Sequence, residues 1–537
     1  MSATQSLRSP ARRTIRPLFR VGVVVAGEKA GGRTVWPTVV LIGLLVVGFA
    51  LRWPALGDWS LYRDDAWQSL ATRMGPVSEV VLTGVTAPGY AVVLRGWGWV
   101  FGDASVSLLI PSFLAGLVCI LATTLLAKRF GLNWASALVA GAVMATGSVS
   151  VEYSARVKPF IFGALITVIL TWFALATVEN TTRTRVFYLA LLASFAFVFS
   201  ASSAPVAAIG IAAVVANSWH QRGERDVSIL AAVCYAFVTF GWYFLVVRPA
   251  TTQVLQEWWE GRFFDVSQGL SVVVRRGAAF VAGAGVENAG MVHHLALSGL
   301  IAAGLVTIAV RRRWLHGYLL LGPVIVTALL SALGVVPFGG GRTDLFLYPL
   351  ISILAGYGIE AIAGAQEWGK RSWLAVGVTA LVMAGLVARS EPTTYPEESG
   401  REITQDVLRL AEPTDLIMTL PETSYLWARY APNEVGVARD THAMTGFTPY
   451  IDDGRVLFLP GFEMSSTGPA NLAAREHSLS LARDRLDVES PSRVWVVEST
   501  YFDSPFPELR RLLLDRRYAV SETVEREFAV ARLYTNS

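Results

Sequence analysis

Residues 35–73 read VWPTVVLIGLLVVGFALRWPALGDWSLYRDDAWQSLATR. The apolar run up to Arg52 approaches the roughly 20 residues that a helix needs to cross the hydrocarbon layer of a membrane. Two adjacent acids, Asp64 and Asp65, follow a short way beyond it. Holding a carboxylate pair beside a membrane is costly unless water, cations or a task offsets it. The pair therefore reads as a functional site or as the solvated start of a loop helix.

The same kind of apolar segment recurs along the chain. Of 537 residues, 53% are hydrophobic and only 16% charged, far more apolar than a soluble protein of that length requires. Beyond 35–52, spans are expected at 106–127, 132–149, 159–178, 186–201, 203–219, 226–247, 292–310, 316–336, 343–364 and 372–389, about eleven in all. The expected fold class is a polytopic α-helical membrane protein. Residues 1–34 would be a cytoplasmic tail, retained because no small-residue cleavage site follows an apolar core. Residues 35–389 would be the transmembrane domain and 390–537 a separate C-terminal domain.

Short loops rich in Lys and Arg stay cytoplasmic. If each span crosses once, the Arg-rich tail, Lys128 and Arg129, Arg183 and Arg185, Arg222 and Arg225, Arg311 to Arg313, and Lys370 and Arg371 all share one side. The loops 53–105 and 248–291 and the C-terminal domain then face outward from a plasma membrane. In the first outer loop, 64–74 and 88–101 have helical spacing, and the second, rich in Gly and Trp, is placed along the membrane surface. The loop 248–291, with Trp258 and Trp259, is expected there too. After Arg389, polar helices (401–411, 422–431, 470–486, 507–518) alternate with strand-like runs (416–420, 456–459, 494–498, 528–534), the pattern of a soluble α/β domain.

The net charge of +4 is explained by the inner loops, and no basic face interleaved with aromatics suggests nucleic acid. The two cysteines, Cys119 and Cys234, both fall mid-span and support neither a disulfide framework nor a thiolate metal site.

Four segments together resemble the GT-C superfamily of membrane glycosyltransferases, in particular the branch with the protein O-mannosyltransferases and the lipid A aminoarabinose transferases. Asp64-Asp65-Ala66-Trp67 is similar to the Asp-Glu-Ala-Trp that follows the family's first span. Ala87 to Tyr90, then Phe101-Gly102-Asp103, then Pro111-Ser112 resemble its Pro-Pro-x-Tyr helix, Phe-Gly-x-Ser turn and Arg-x-Pro-Ser span start. Tyr153 to Phe160 is similar to Tyr-Ser-x-Glu-x-Arg-Pro-Tyr, and Arg342 to Tyr357 to a late Arg-x-x-x-Phe-x-x-Pro segment. Three positions depart from the pattern: Asp65 stands for Glu, the Arg before Pro111 is missing, and Arg156 stands where the second outer loop usually carries an acid.

The resemblance implies sugar transfer from a polyprenyl-phosphate donor to an acceptor hydroxyl on a glycan, lipid or protein, outside the membrane. Such a reaction needs a base for the hydroxyl proton and cations for the departing phosphate. Asp64 is the expected base, its alternative being a helix cap, and Asp65 the supporting acid. Lys158, Arg342 and Arg156 are the expected phosphate contacts, their alternative being interfacial snorkelling. His293, beside His294 at an outer span end, is a further binding candidate. A guanidinium cannot ligate a cation, so Arg156 argues against a metal shared between the loops, and no cofactor is expected. Two rival classes stay open: a transporter, against which stand the absence of a repeat and of midspan charges, and a relative that kept the fold and lost the reaction.

The orientation is testable by fusion after Ser537. A reporter active only outside the cytoplasm should work there, and activity of a cytoplasm-only reporter would refute the shared outer face.

Overall fold

Trp36–Arg52 forms the first helix, and Trp36, Val39, Ile42, Val46 and Phe49 along it are exposed. An apolar outer face of that kind suits a helix whose solvent is lipid. The computed structural model describes residues 36–536 apart from 58–59, 85–86, 220–221, 265–268, 287–290, 340, 364–398, 452–453, 461–467 and 501–505. The expected tail 1–34 and span 372–389 lie outside the described residues. Among the described residues eight helices are long and apolar enough to cross a membrane, and two bent pairs bring the number to as many as ten.

Most expected spans coincide with these helices, among them Ser105–Arg129, Phe160–Glu179, Met291–Val310 and Trp314–Ala332. The span expected at 132–149 is instead a pair, Trp134–Thr146 and Ser148–Ser154, bent by 60°. The break falls at Gly147, where a Cβ would stand 2.7 Å from the Ala284 carbonyl oxygen, and the Ser148 N–H donates to the Gly285 carbonyl at 2.9 Å. This bend delivers the segment 155–159 to the end of the bundle where the first loop lies. That loop holds the expected helices as Arg63–Ser69 and Pro88–Phe101, with an unexpected short helix, Val77–Thr83, between them.

Arg52, at the last turn of the first helix and fully buried, ties the start of the loop down. Its guanidinium donates to the carbonyls of Gly48, Ala145 and Met144 and to Ser150 Oγ, all within 3.2 Å. Those acceptors are mainly helix C-terminal carbonyls, which lack intrahelical partners and attract a cation.

The C-terminal domain is an α/β unit. Strands β1 (Leu416–Thr419), β4 (Val456–Phe458) and β5 (Arg493–Ser499) are parallel, and β6 (Tyr518–Arg526) and β7 (Ala529–Asn536) are antiparallel, in the order β4-β1-β5-β7-β6. A separate antiparallel pair joins β2 (Gly436–Arg439) to β3 (Phe447–Tyr450). Helices Gly400–Leu410, Pro421–Tyr430, Pro469–Glu489 and Pro507–Asp515 pack around them. The helix expected at 507–518 ends at Asp515, and the strand β6 begins at Tyr518. It is an exposed, charge-bearing edge, the usual protection against unwanted strand pairing.

This domain grips the first loop. The Arg73 guanidinium donates to the carbonyls of Ala428, Arg429, Ala431 and Asn433 at 2.6–3.3 Å, and Arg429 pairs with Asp103 at 3.0 Å.

Two late spans, Met291–Val310 and Tyr348–Ala363, pack backbone to backbone. A Cβ on Gly304 would stand 2.0 Å from the Leu354 carbonyl oxygen, and one on Gly358 equally close to that of Leu300, the small-residue packing that membrane helices use. Gly304→Ala should cost on the order of 1–3 kcal/mol through overpacking, read as a lower thermal unfolding midpoint in detergent. Gly299→Ala, which meets nothing within 4 Å, should leave the midpoint unchanged.

Candidate active site

The helix Arg63–Ser69 carries both acids in its first turn. Its cap position is Tyr62, with no side-chain capping bond, so Asp64 does not act as the cap. Successive helical residues point about 100° apart, and the two carboxylates accordingly enter different surroundings.

Asp64 faces two cations. Arg342 Nη1 donates to its Oδ2 at 2.9 Å, and Lys158 Nζ lies 4.0 Å from the same oxygen. Lys158 sits just before the Phe160–Glu179 helix, where Ser112 Oγ donates to its carbonyl at 3.4 Å, and its ammonium lies 3.6 Å from the centre of the Trp67 ring. Arg342 opens a 3₁₀ turn, Arg342–Leu347. Its guanidinium lies 5.1 and 5.4 Å from the ring centres of Trp258 and Trp259. Cation–π contacts hold a charged head in place where water is scarce.

Asp65 faces away, toward Arg156 at 3.6 Å. Arg156 also pairs with Glu152 at 3.2 Å and lies 4.1 Å from the centre of the Tyr62 ring.

Asp64, Lys158 and Arg342 line one end of a cavity of about 1380 Å³, whereas Asp65, Arg156 and His293 do not. His293 Nε2 accepts the Val286 N–H at 3.2 Å. From the charged end the cavity runs along the helix Ala204–Ser218, past Ile211, Val215, Phe240 and Leu330, to Asn217 and Trp219. At 1.5 Å per residue that helix alone gives it a length of roughly 22 Å. Met444 and Thr445 of the C-terminal domain complete the wall near the charged end. Trp67 belongs to the quoted Asp64-Asp65-Ala66-Trp67 segment, but its pairing with Lys158 is visible only in the structure, and the two domain residues carry no motif that the sequence reading could have used.

Burial pushes both carboxyls up, and the cations decide the outcome. At Asp64 the opposing charges of Lys158, Arg342, Arg63 and Arg156 prevail over burial and hold the carboxyl well below the usual carboxylate range. At Asp65 burial prevails over Arg156 and Lys158, helped by the negative charges of Asp64 and Glu152, and the carboxyl is pushed up to about 6. Burial likewise brings Lys158 down to about 7 against the pull of Asp64 and Asp65. Adjacent acids thus divide into one held as an anion by its cations and one whose carboxyl is pushed up by burial.

Asp65 binds its proton more tightly when folded, so its contribution to stability is complete below 3.8, its ordinary value, and is lost as the pH rises to about 6. The wild type should therefore lose thermal stability relative to Asp65→Asn across that window. A constant difference between the two melting midpoints from pH 4 to about pH 7 would show that Asp65 titrates normally.

No family model matches the chain, and no curated protein matches it. Among solved structures the fold is similar to that of ArnT from Cupriavidus metallidurans in the apo state, at 12% identity and a TM-score of 0.56, covering 92% of this chain and 97% of that one. It is equally similar to ArnT from the same organism bound to undecaprenyl phosphate, at 12% identity and a TM-score of 0.55, covering 93% and 98%. The chain therefore has an ArnT-like fold.

Proposed function

We propose that the protein transfers a glycosyl group from a polyprenyl-phosphate donor to an acceptor hydroxyl at the outer face of the plasma membrane. The observation that carries this reading is the placement of Asp64, Lys158 and Arg342 together at one end of a long apolar cavity. A lipid phosphate has the matching shape, with an anionic head for the two cations and an isoprenoid tail for the apolar length. The volume exceeds the roughly 300–1,000 Å³ usual for small-molecule sites. The similarly folded ArnT was solved with undecaprenyl phosphate bound, which supports the same donor class here.

In the proposed reaction the acceptor oxygen attacks the anomeric carbon while its proton passes to Asp64. The bond from that carbon to the phosphate oxygen breaks, and its electron pair stays on the phosphate. Lys158 and Arg342 offset the charge gathered there, a charge-assisted contact among the stronger ones available. The products are the glycosylated acceptor and the polyprenyl phosphate. The acceptor is a hydroxyl-bearing glycan, lipid or protein that reaches the cavity beside Met444 and Thr445.

No divalent ion is required in this reading. Asp64 and Asp65 are neutralised by guanidinium and ammonium groups that cannot ligate a metal, and Arg156 occupies the position from which a second loop would offer an acid.

The test is sugar release and transfer by the purified protein with a panel of polyprenyl-phosphate sugars, with and without chelator. Asp64→Asn should lower turnover by about 10²- to 10⁴-fold, the usual effect of losing a general base, and chelator should leave the wild type unchanged. Loss of wild-type activity on chelation, restored by added metal, would refute the metal-free mechanism. Failure to turn over any polyprenyl-phosphate sugar would refute the enzymatic reading.

A further inference from the structure

Resting on the lipid-phosphate reading of this cavity, we infer that Asp64 is the resident counter-anion of the phosphate seat. The donor's phosphate displaces it from Arg342 and Lys158, and that displacement makes it a competent base. Both cations converge on the same oxygen, Asp64 Oδ2, at 2.9 and 4.0 Å, and both line the charged end of the cavity. A phosphate whose tail lies along the apolar length reaches these two groups first. Arg156 stands outside the lining, engaged with Asp65 and Glu152. Two anions cannot share one cation pair at such distances without strong repulsion in an apolar site.

The exchange alters Asp64 in the direction catalysis needs. The charged and titratable groups that face it are Arg63 and Asp65 on its own helix, Tyr153, Arg156 and Lys158 from the segment before the Phe160–Glu179 helix, and Arg342 from the late span. With Lys158 and Arg342 in place the carboxylate is held low and is a poor proton acceptor. Once phosphate draws both cations away, burial is opposed only by Arg63 and Arg156, and proton affinity rises toward the range a general base requires. Donor therefore binds before the base is active, and the acceptor meets an activated Asp64 only when a leaving group is in place. Lys158, brought down to about 7 by burial, takes up its full charge when the phosphate arrives.

This gives an outcome that an ordinary structural salt bridge would not. Removing the carboxylate should impair turnover yet improve donor-lipid binding, because it clears the seat. The experiment titrates the full-length protein in lipid nanodiscs with undecaprenyl phosphate, with undecaprenol as the uncharged probe and inorganic phosphate as the head group alone. The wild type should bind undecaprenyl phosphate in preference to undecaprenol, and Asp64→Asn should bind it on the order of tenfold more tightly, the equivalent of one pKa unit of relieved repulsion. Inorganic phosphate should bind far more weakly to both, since it lacks the tail. Equal or weaker binding by Asp64→Asn, with the wild type binding normally, would overturn the displacement.

A second measurement in the wild type covers a variant that does not fold. Trp67 stacks on Lys158, and Trp258 and Trp259 on Arg342, so moving these cations should change the indole fluorescence at saturating undecaprenyl phosphate and not with undecaprenol. Saturable binding without that change would also overturn it. A wild type that does not distinguish the two lipids would instead remove the lipid-phosphate reading itself, and the displacement with it.

Discussion

A carboxylate in apolar surroundings needs cations and hydrogen bonds to remain charged, and Asp64 obtains them from residues far away in the chain. Arg342 stands 278 positions later and Lys158 beyond three intervening helices of the bundle. The first loop, the segment after the bent helix pair and the start of a late span therefore have to meet at one end of the bundle. Each is tied down separately. Arg52 fixes the exit of the first helix on the carbonyls of Met144 and Ala145. Ser112 holds the carbonyl of Lys158, and Tyr348 OH donates to the Gly341 carbonyl at 3.1 Å, beside Arg342. The cluster is preorganised in that its charged ends are placed by backbone anchors as well as by their attraction for each other.

The C-terminal domain takes part in the same arrangement. Glu257, next to the two tryptophans that shelve Arg342, accepts from the backbone N–H groups of Ala470 and Asn471 and from Asn471 Nδ2 at 2.7–3.0 Å. On the other side Trp67, which covers Lys158, meets Tyr425 edge to face at 6.2 Å. Both aromatic shelves under the cations are thus braced by the sheet domain, and Met444 and Thr445 close the cavity between them. A change in how this domain sits on the first loop would reach Lys158 and Arg342 through these two contacts.

Much of this was legible in the sequence for a physical reason: a span that must be apolar for some twenty residues leaves an unmistakable trace, and so does a buried parallel strand such as β5, with Val494 to Val497 a continuous apolar run. The edge strand β6 escaped because its residues are exposed and mixed, which leaves no periodicity to read. The bend at Gly147 escaped because its cause is a neighbour 137 positions away in sequence, the Ala284 carbonyl. At the site, Asp64, Lys158 and Arg342 could be picked from short motifs, and the structure brings those three together. Arg156 and His293, picked by the same reasoning, lie outside the cavity lining. Position at a span end says which face of the membrane a side chain serves, but not which way it turns.

Two departures from the pattern that the motifs resemble fall on side chains that face each other. Asp65 stands where that pattern has Glu, and Arg156 stands where it has an acid, and the two side chains face each other at 3.6 Å. An acid on each loop would create a like-charge pair that a bound cation could relieve. An arginine on one side turns the repulsion into attraction within the chain. Arg156 is held between Asp65 and Glu152, at 3.6 and 3.2 Å. The Asp65–Arg156 pair holds the second carboxylate on Arg156, and neither residue lines the cavity where Asp64 meets Lys158 and Arg342.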